Sequence, residues 1–234
     1  MDSTSFKKEL KKSLEYQKTL GLEWVPMGEG TKSKARNPKQ IQNPKTQNSN
    51  INKAAALENI RKEMGNCQRC PLGKTRTQLV FGEGNPDSDL MFIGEGPGQD
   101  EDLQGRPFVG RAGKLLDKII QAMGYKREEV YIGNVVKSRP PNNRAPEPEE
   151  VAACMPFLLK QIEVIEPKII VCLGATATKW LLNTEVSISK LRGTFIDWNG
   201  IQIMPTYHPA FLLRNSNMKR PVWEDMQKVM GALK

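Results

Sequence analysis

GEGPGQDEDLQGRPFVGRAG (Gly94–Gly113) is too rich in glycine and acid to be packing material, and what surrounds it decides the fold. Upstream, Asp89–Ile93 is a short apolar run with the length and flanks of a buried strand. Downstream, Leu115, Leu116, Ile119, Ile120 and Met123 recur at helical spacing through the segment 111–123. Strand, glycine loop and helix in that order is the usual address of a ligand pocket in an open α/β sheet. A P-loop would need Ser or Thr after Gly113-Lys114 and a glycine where Phe108 stands, but Leu115 follows. A dinucleotide loop would have to hold a pyrophosphate against Glu95, Asp100, Glu101 and Asp102. The loop is therefore read as a pocket for something other than a phosphate.

Two more units repeat the pattern. Residues 130–136 form a second strand with Asn134 near its end, followed by a proline-rich, basic stretch to Pro146 and a helix over 147–164 that carries Cys154. Residues 168–174 form a third strand containing Cys172, with a helix over 175–182 behind it. Three strand and helix units in succession specify a parallel α/β sheet. The last third predicts a hairpin over 194–203 turning at Asn199-Gly200, then the segment around His208, then a helix over 219–233. His208 is the single histidine, the one side chain able to change protonation near neutrality.

The 234 residues suffice for one good-sized core with about 50 to spare. Residues 1–27 contain Phe6, Leu10 and Leu14 between lysines, a basic amphipathic helix. Residues 28–52 are nearly free of apolar side chains and read as a flexible linker, which leaves 53–234 as the main domain. The formal charge is +9, and the first fifty residues hold ten Lys or Arg against five Asp or Glu. Such a balance suits a polyanionic partner, and equally a solubilising surface. Without a membrane-length apolar run or a signal-peptide core, the expected location is cytoplasmic. Cys67 and Cys70, two residues apart in a tight turn, suit a metal or cluster, a redox pair, or two buried thiols.

GEGPGQDEDLQGRPFVGRAG, YIGNVVKSRPPNNRAPEPEEVAAC, IIVCLGATA and YHPAFLLR together resemble, in family order, the family 4 (iron-sulfur, thermostable-type) uracil-DNA glycosylases. The resemblance covers the chain from about Ala54 onward. It implies a three-layer α/β/α fold around a central, mainly parallel four-stranded sheet. The implied activity is that of a monofunctional base excision repair enzyme, which flips uracil out of single- or double-stranded DNA and leaves an abasic site. By resemblance Phe108 stacks on the base, Asn134 reads its Watson-Crick edge, and Glu101 walls off C5, beside Gly96 and Pro97 of the loop. Glu95 handles the attacking water and favours the sugar cation, and His208 bonds uracil O2 as it becomes anionic. Pro209–Arg214 enters the minor groove, with Leu212 or Leu213 as wedge and Arg214 near phosphate. Arg139 and Arg144 also face DNA.

The same resemblance places a four-iron, four-sulfur cluster on Cys67, Cys70, position 138 and Cys154. Here position 138 is Ser138, a departure from the family pattern. Three thiolates could hold the cluster with the Ser138 oxygen; otherwise it is cut to three irons, lost, or replaced by zinc. Cys172, on the third strand, is expected in the core. The expected molecule is a monomer, with residues 1–50 open to a sliding clamp or another repair protein. Two rival functions remain: a sister glycosylase for hypoxanthine or xanthine, and an inactive module that only grips DNA.

Overall fold

The computed structural model describes residues 52–234, and Lys53–Lys234 forms one compact unit. The amphipathic helix expected in 1–27, and the linker 28–52 but for its last residue, lie outside the described residues.

Helix α1 (Lys53–Met64) and the short α2 (Leu72–Thr75) precede a two-residue strand β1 (Glu83–Gly84) and the strand β2 (Leu90–Gly94). The glycine loop holds α3 (Gln99–Gln104) and leads into α4 (Arg111–Ala122). Then come β3 (Tyr131–Asn134), α5 (Pro148–Ile165), β4 (Ile169–Leu173) and α6 (Ala175–Leu182). After α7 (Ile188–Leu191), the hairpin β5 (Ile196–Trp198) and β6 (Ile201–Thr206) runs into α8 (Pro209–Arg214), and α9 (Lys219–Ala232) ends the fold.

The sheet order is β1-β3-β2-β4-β6-β5. Its four central strands are parallel, as the sequence implies, and a short antiparallel strand at each edge brings the total to six. Strand β1 carries no apolar run to announce it, because two residues pair only with Tyr131 and Ile132. Glycine is obligatory there: a Cβ on Gly84 would lie 1.9 Å from the Val130 carbonyl oxygen.

Alternation along the strands builds the layers, since successive side chains point to opposite faces. Met91, Ile93, Ile170, Cys172 and Ile203 join one core with Leu57 and Ile60 of α1, Phe157, Leu158 and Ile162 of α5, and Leu181 of α6. Leu90, Phe92, Ile169, Val171 and Met204 join the other with Leu116 and Ile120 of α4 and Met226 and Val229 of α9. The result is a three-layer α/β/α fold. Cys172 is fully buried in the first core and burial pushes its thiol far above the ordinary range, so it is packing material, as expected. Among the described residues no helix is long and apolar enough to cross a membrane.

Candidate active site

Chain order reverses around β2, whose neighbours are β3 on one side and β4 on the other, and a crevice at such a reversal is where open α/β sheets bind ligands. Outside the carboxyl ends of these strands lies a cavity of about 480 Å³. Glu95, Gly96, Pro97, Glu101, Phe108, Asn134, His208 and Arg214 all line it, so residues scattered over 120 positions of chain converge.

Asn134 ends β3 directly opposite Gly94 of β2. Its side chain is buried, and Oδ1 has no hydrogen-bond partner. A buried amide oxygen left unsatisfied costs on the order of 1–3 kcal/mol, so a free-standing protein gains nothing from it. Gly94 makes the arrangement possible, because a Cβ there would stand 2.5 Å from both Asn134 Oδ1 and Phe108 Cζ.

Phe108 has a left-handed backbone, φ 52°, unusual for an aromatic residue. Two features hold it. Gly113 lets α4 start against the Phe108 carbonyl, 1.9 Å from where a Cβ would stand, and Arg127 donates to the carbonyls of Pro107 and Phe108 (3.2 Å for the latter). Arg127 is itself fixed by Glu83 and Asp117. A lone arginine in a turn gives no sequence signal of this role.

Glu101 lines the cavity, yet its carboxylate is committed to the loop. Oε1 accepts from the backbone N–H groups of Val109 and Gly110 at 2.9 Å each, and Oε2 from Gly98 at 3.1 Å. Asp102, buried, likewise accepts from Thr77 N–H at 2.9 Å. Two of the four acids that looked like a repulsive field therefore brace the loop. Glu95 has no such task for its side chain; only its carbonyl is engaged, accepting from Val136 N–H at 3.1 Å.

His208 caps α8: its Nδ1 accepts from Ala210 N–H at 3.1 Å. A ring accepting at Nδ1 carries its proton on Nε2 when neutral. Burial pushes the imidazole down to about 4, with Arg214 adding to the effect and Glu101 opposing it. Its ring centroid is 5.6 Å from that of Phe108. The cavity thus offers a neutral N–H donor, an aromatic face, a free amide and one uncommitted carboxylate.

On the rim, the expected DNA contacts divide. Of the two leucines expected as wedge, Leu212 is 1% exposed and belongs to the core, while Leu213, on the other side of α8, is 40% exposed. Helical geometry forces that split, since neighbouring residues point about 100° apart. Arg144 lines the cavity and is paired within the protein. It grips Glu150 through both terminal nitrogens, at 2.6 and 2.8 Å, and this pairing holds the Glu150 carboxyl below its ordinary range while Glu150 caps the start of α5. Arg139 bonds only Asn143, at 2.8 Å, and stays at the surface.

The cysteine site lies beyond the end of β3. Cys67 and Cys154 are buried and Cys70 partly so; burial raises the Cys154 thiol, and the nearby Cys70 and Cys67 add to that. Ser138 is buried, its Oγ accepting from Arg76 at 3.2 Å, while the same arginine holds the Cys67 carbonyl at 2.6 Å. Among the described residues no group of three or more His, Cys, Asp and Glu side chains is close enough together to hold a metal ion. Three neighbouring thiols, with an N–H from the Lys137 backbone on Cys154, are the donor type that iron-sulfur clusters take.

The comparisons with known proteins bear on the family. The model of the uracil DNA glycosylase superfamily matches residues 81–227. The chain is 52% identical over 182 residues to a type-4 uracil-DNA glycosylase of Thermotoga maritima, covering 76% of this chain and 95% of that one. It is 48% identical over 186 residues to a type-4 uracil-DNA glycosylase of Saccharolobus solfataricus, covering 76% and 86%. Against the type-4 enzyme of Archaeoglobus fulgidus the identity is 42% over 182 residues, covering 74% and 92%.

Proposed function

The chain belongs to the uracil-DNA glycosylase superfamily and, within it, to the type-4 enzymes, and on that premise we propose how its residues remove uracil from DNA. It is a hydrolase acting on an N-glycosyl bond in DNA repair. The observation that carries the site assignment is the buried, unpartnered Oδ1 of Asn134 inside a cavity shared with Phe108 and His208.

A uracil flipped from the stack lies on the Phe108 ring, and its N3–H donates to Asn134 Oδ1 while the amide N–H meets O4. Cytosine has no proton at N3 and a donor in place of O4, so it would leave the same amide opposed on both sides. Water adds to C1′ as the C1′–N1 bond breaks; the bonding pair leaves with the base, and the proton of the water passes to Glu95 or to solvent. His208 Nε2–H donates to O2 as negative charge collects there, and Glu95 faces the sugar cation. No lysine lines the cavity, in keeping with simple hydrolysis that leaves an abasic site. Leu213 is the wedge, Arg214 and Arg139 meet phosphates, and the enzyme works in the cytoplasm.

Cys67, Cys70 and Cys154, with Ser138 at the fourth corner, would hold the iron-sulfur cluster. When bound, it supplies structural order to the Arg139 segment, since the hydrolysis needs no electron transfer. Iron analysis and visible absorption check this: a colourless, iron-free but fully active protein would refute it.

The catalytic assignment is tested by single-turnover cleavage of a uracil-containing strand. Glu95→Ala is expected to slow it about 100-fold, the scale of a lost general base. An unchanged rate removes Glu95 from the mechanism, and a wild type that binds the strand without releasing uracil removes the activity.

A further inference from the structure

Lys137 is fully buried, among the largest side chains with no exposure, and no carboxylate of the described residues pairs with it. Its ammonium donates to two neutral oxygens, the Asn134 carbonyl at 2.9 Å and Gln161 Oε1 at 2.7 Å. The Cys154 thiol is the one ionisable group felt by this ammonium, and it is not a hydrogen-bond partner of it; burying an ammonium on neutral acceptors carries a heavy desolvation cost, and a methionine of similar length would fill the space without it. What it holds must account for its presence.

The Asn134 carbonyl has no other partner available. Val135 N–H donates to Gly94 O at 2.9 Å, so the peptide groups of Val135 face β2 on one edge and those of Asn134 face the opposite edge. On that edge the β1 ladder pairs only Tyr131 and Ile132 and stops short of Asn134. Lys137 fills the gap from three residues downstream. Its own position is secured by Gln161 of α5, whose Nε2 donates to Phe81 O at 3.0 Å and Tyr131 Oη at 3.2 Å, and by Val80 N–H, which donates to the Lys137 carbonyl at 2.8 Å.

We propose that Lys137 is a positioning residue for uracil recognition: by clamping the Asn134 carbonyl to Gln161 it fixes the backbone from which the Asn134 amide is aimed into the cavity. Fixing the carbonyl fixes ψ at Asn134. The side chain hangs from the same Cα, so an uncapped strand end would let the amide swing by the ångström or so that degrades a productive alignment. The inference rests on Asn134 as the residue that reads the base.

A double-mutant cycle separates this role from general support of the fold. Single-turnover excision and strand affinity are measured for wild type, Lys137→Met, Asn134→Ala and the double variant, with a thermal melt of each. Lys137→Met is expected to slow excision about tenfold or more with little change in strand affinity, as misalignment near the reacting bond does. In the Asn134→Ala background it should cost nothing further, because the amide that it aims is gone. An additive loss in the double variant, or no loss in the single one, overturns the proposal. Should Lys137→Met fail to fold, Gln161→Met releases the ammonium from its anchor without removing it, and the same cycle applies with the same two refuting outcomes. If Asn134→Ala is itself as fast as wild type, the base-reading assignment falls, which distinguishes that failure from failure of the coupling.

Discussion

Asn134→Ala is expected to slow single-turnover excision of uracil about a thousandfold while leaving the melting temperature unchanged or higher, the scale on which a site suffers when it loses the hydrogen-bonding group that recognises its substrate. The two halves of this result have one cause. In the free enzyme Asn134 Oδ1 is buried without a partner, so the fold carries a penalty that, in the proposed complex, substrate N3–H would relieve. Removing the amide removes the penalty from the folded state and the recognition from the complex together. The variant should therefore be the better-folded and much poorer enzyme. Excision rates and melting curves on one preparation check both halves. A variant that loses stability in step with activity would make Asn134 a structural residue.

Much of this site was legible because its chemistry depends on residue types that sequence displays. The strand before Gly94 and the helix after Gly113 followed from apolar period, and the hairpin at Asn199-Gly200 from its turn residues, which adopt φ of 59° and 84° as such a turn needs. What escaped is tertiary. Strand β1 is two residues long and exists only through its pairing with β3. The acidity of the loop could not reveal that Glu101 and Asp102 serve backbone amides, since that requires Val109, Gly110 and Thr77 to be brought to them. Adjacent leucines looked interchangeable as wedges until the orientation of α8 buried Leu212 and exposed Leu213. Arg127 and Lys137 fix Phe108 and Asn134 from separate segments by donating to carbonyls, and a carbonyl acceptor leaves no trace in composition or spacing.

His208→Ala is expected to cost about a thousandfold in single-turnover rate, as loss of a donor to a developing anion does, whereas His208→Gln, which retains a neutral N–H, keeps a larger share of the rate. The distinction turns on protonation. Burial holds the ring at about 4, so it is neutral throughout the working range, and Nδ1 is already occupied by Ala210 N–H. A neutral ring in that tautomer presents Nε2–H to O2 at any pH above about 5, and the wild-type rate should cross 6.5 without an inflection from this residue. Stability has the opposite sensitivity. Because the folded ring titrates below its unfolded value of 6.5, the unfolded chain takes up a proton first as pH falls. His208 leaves stability untouched above about 6.5 and withdraws up to about 3 kcal/mol as pH drops through 4, a loss that His208→Gln should abolish. Denaturant melts at pH 7 and pH 4.5 for wild type and His208→Gln measure that difference. If the two proteins lose stability in parallel while the wild-type rate bends near 6.5, the histidine works as a cation and the neutral-donor mechanism is wrong.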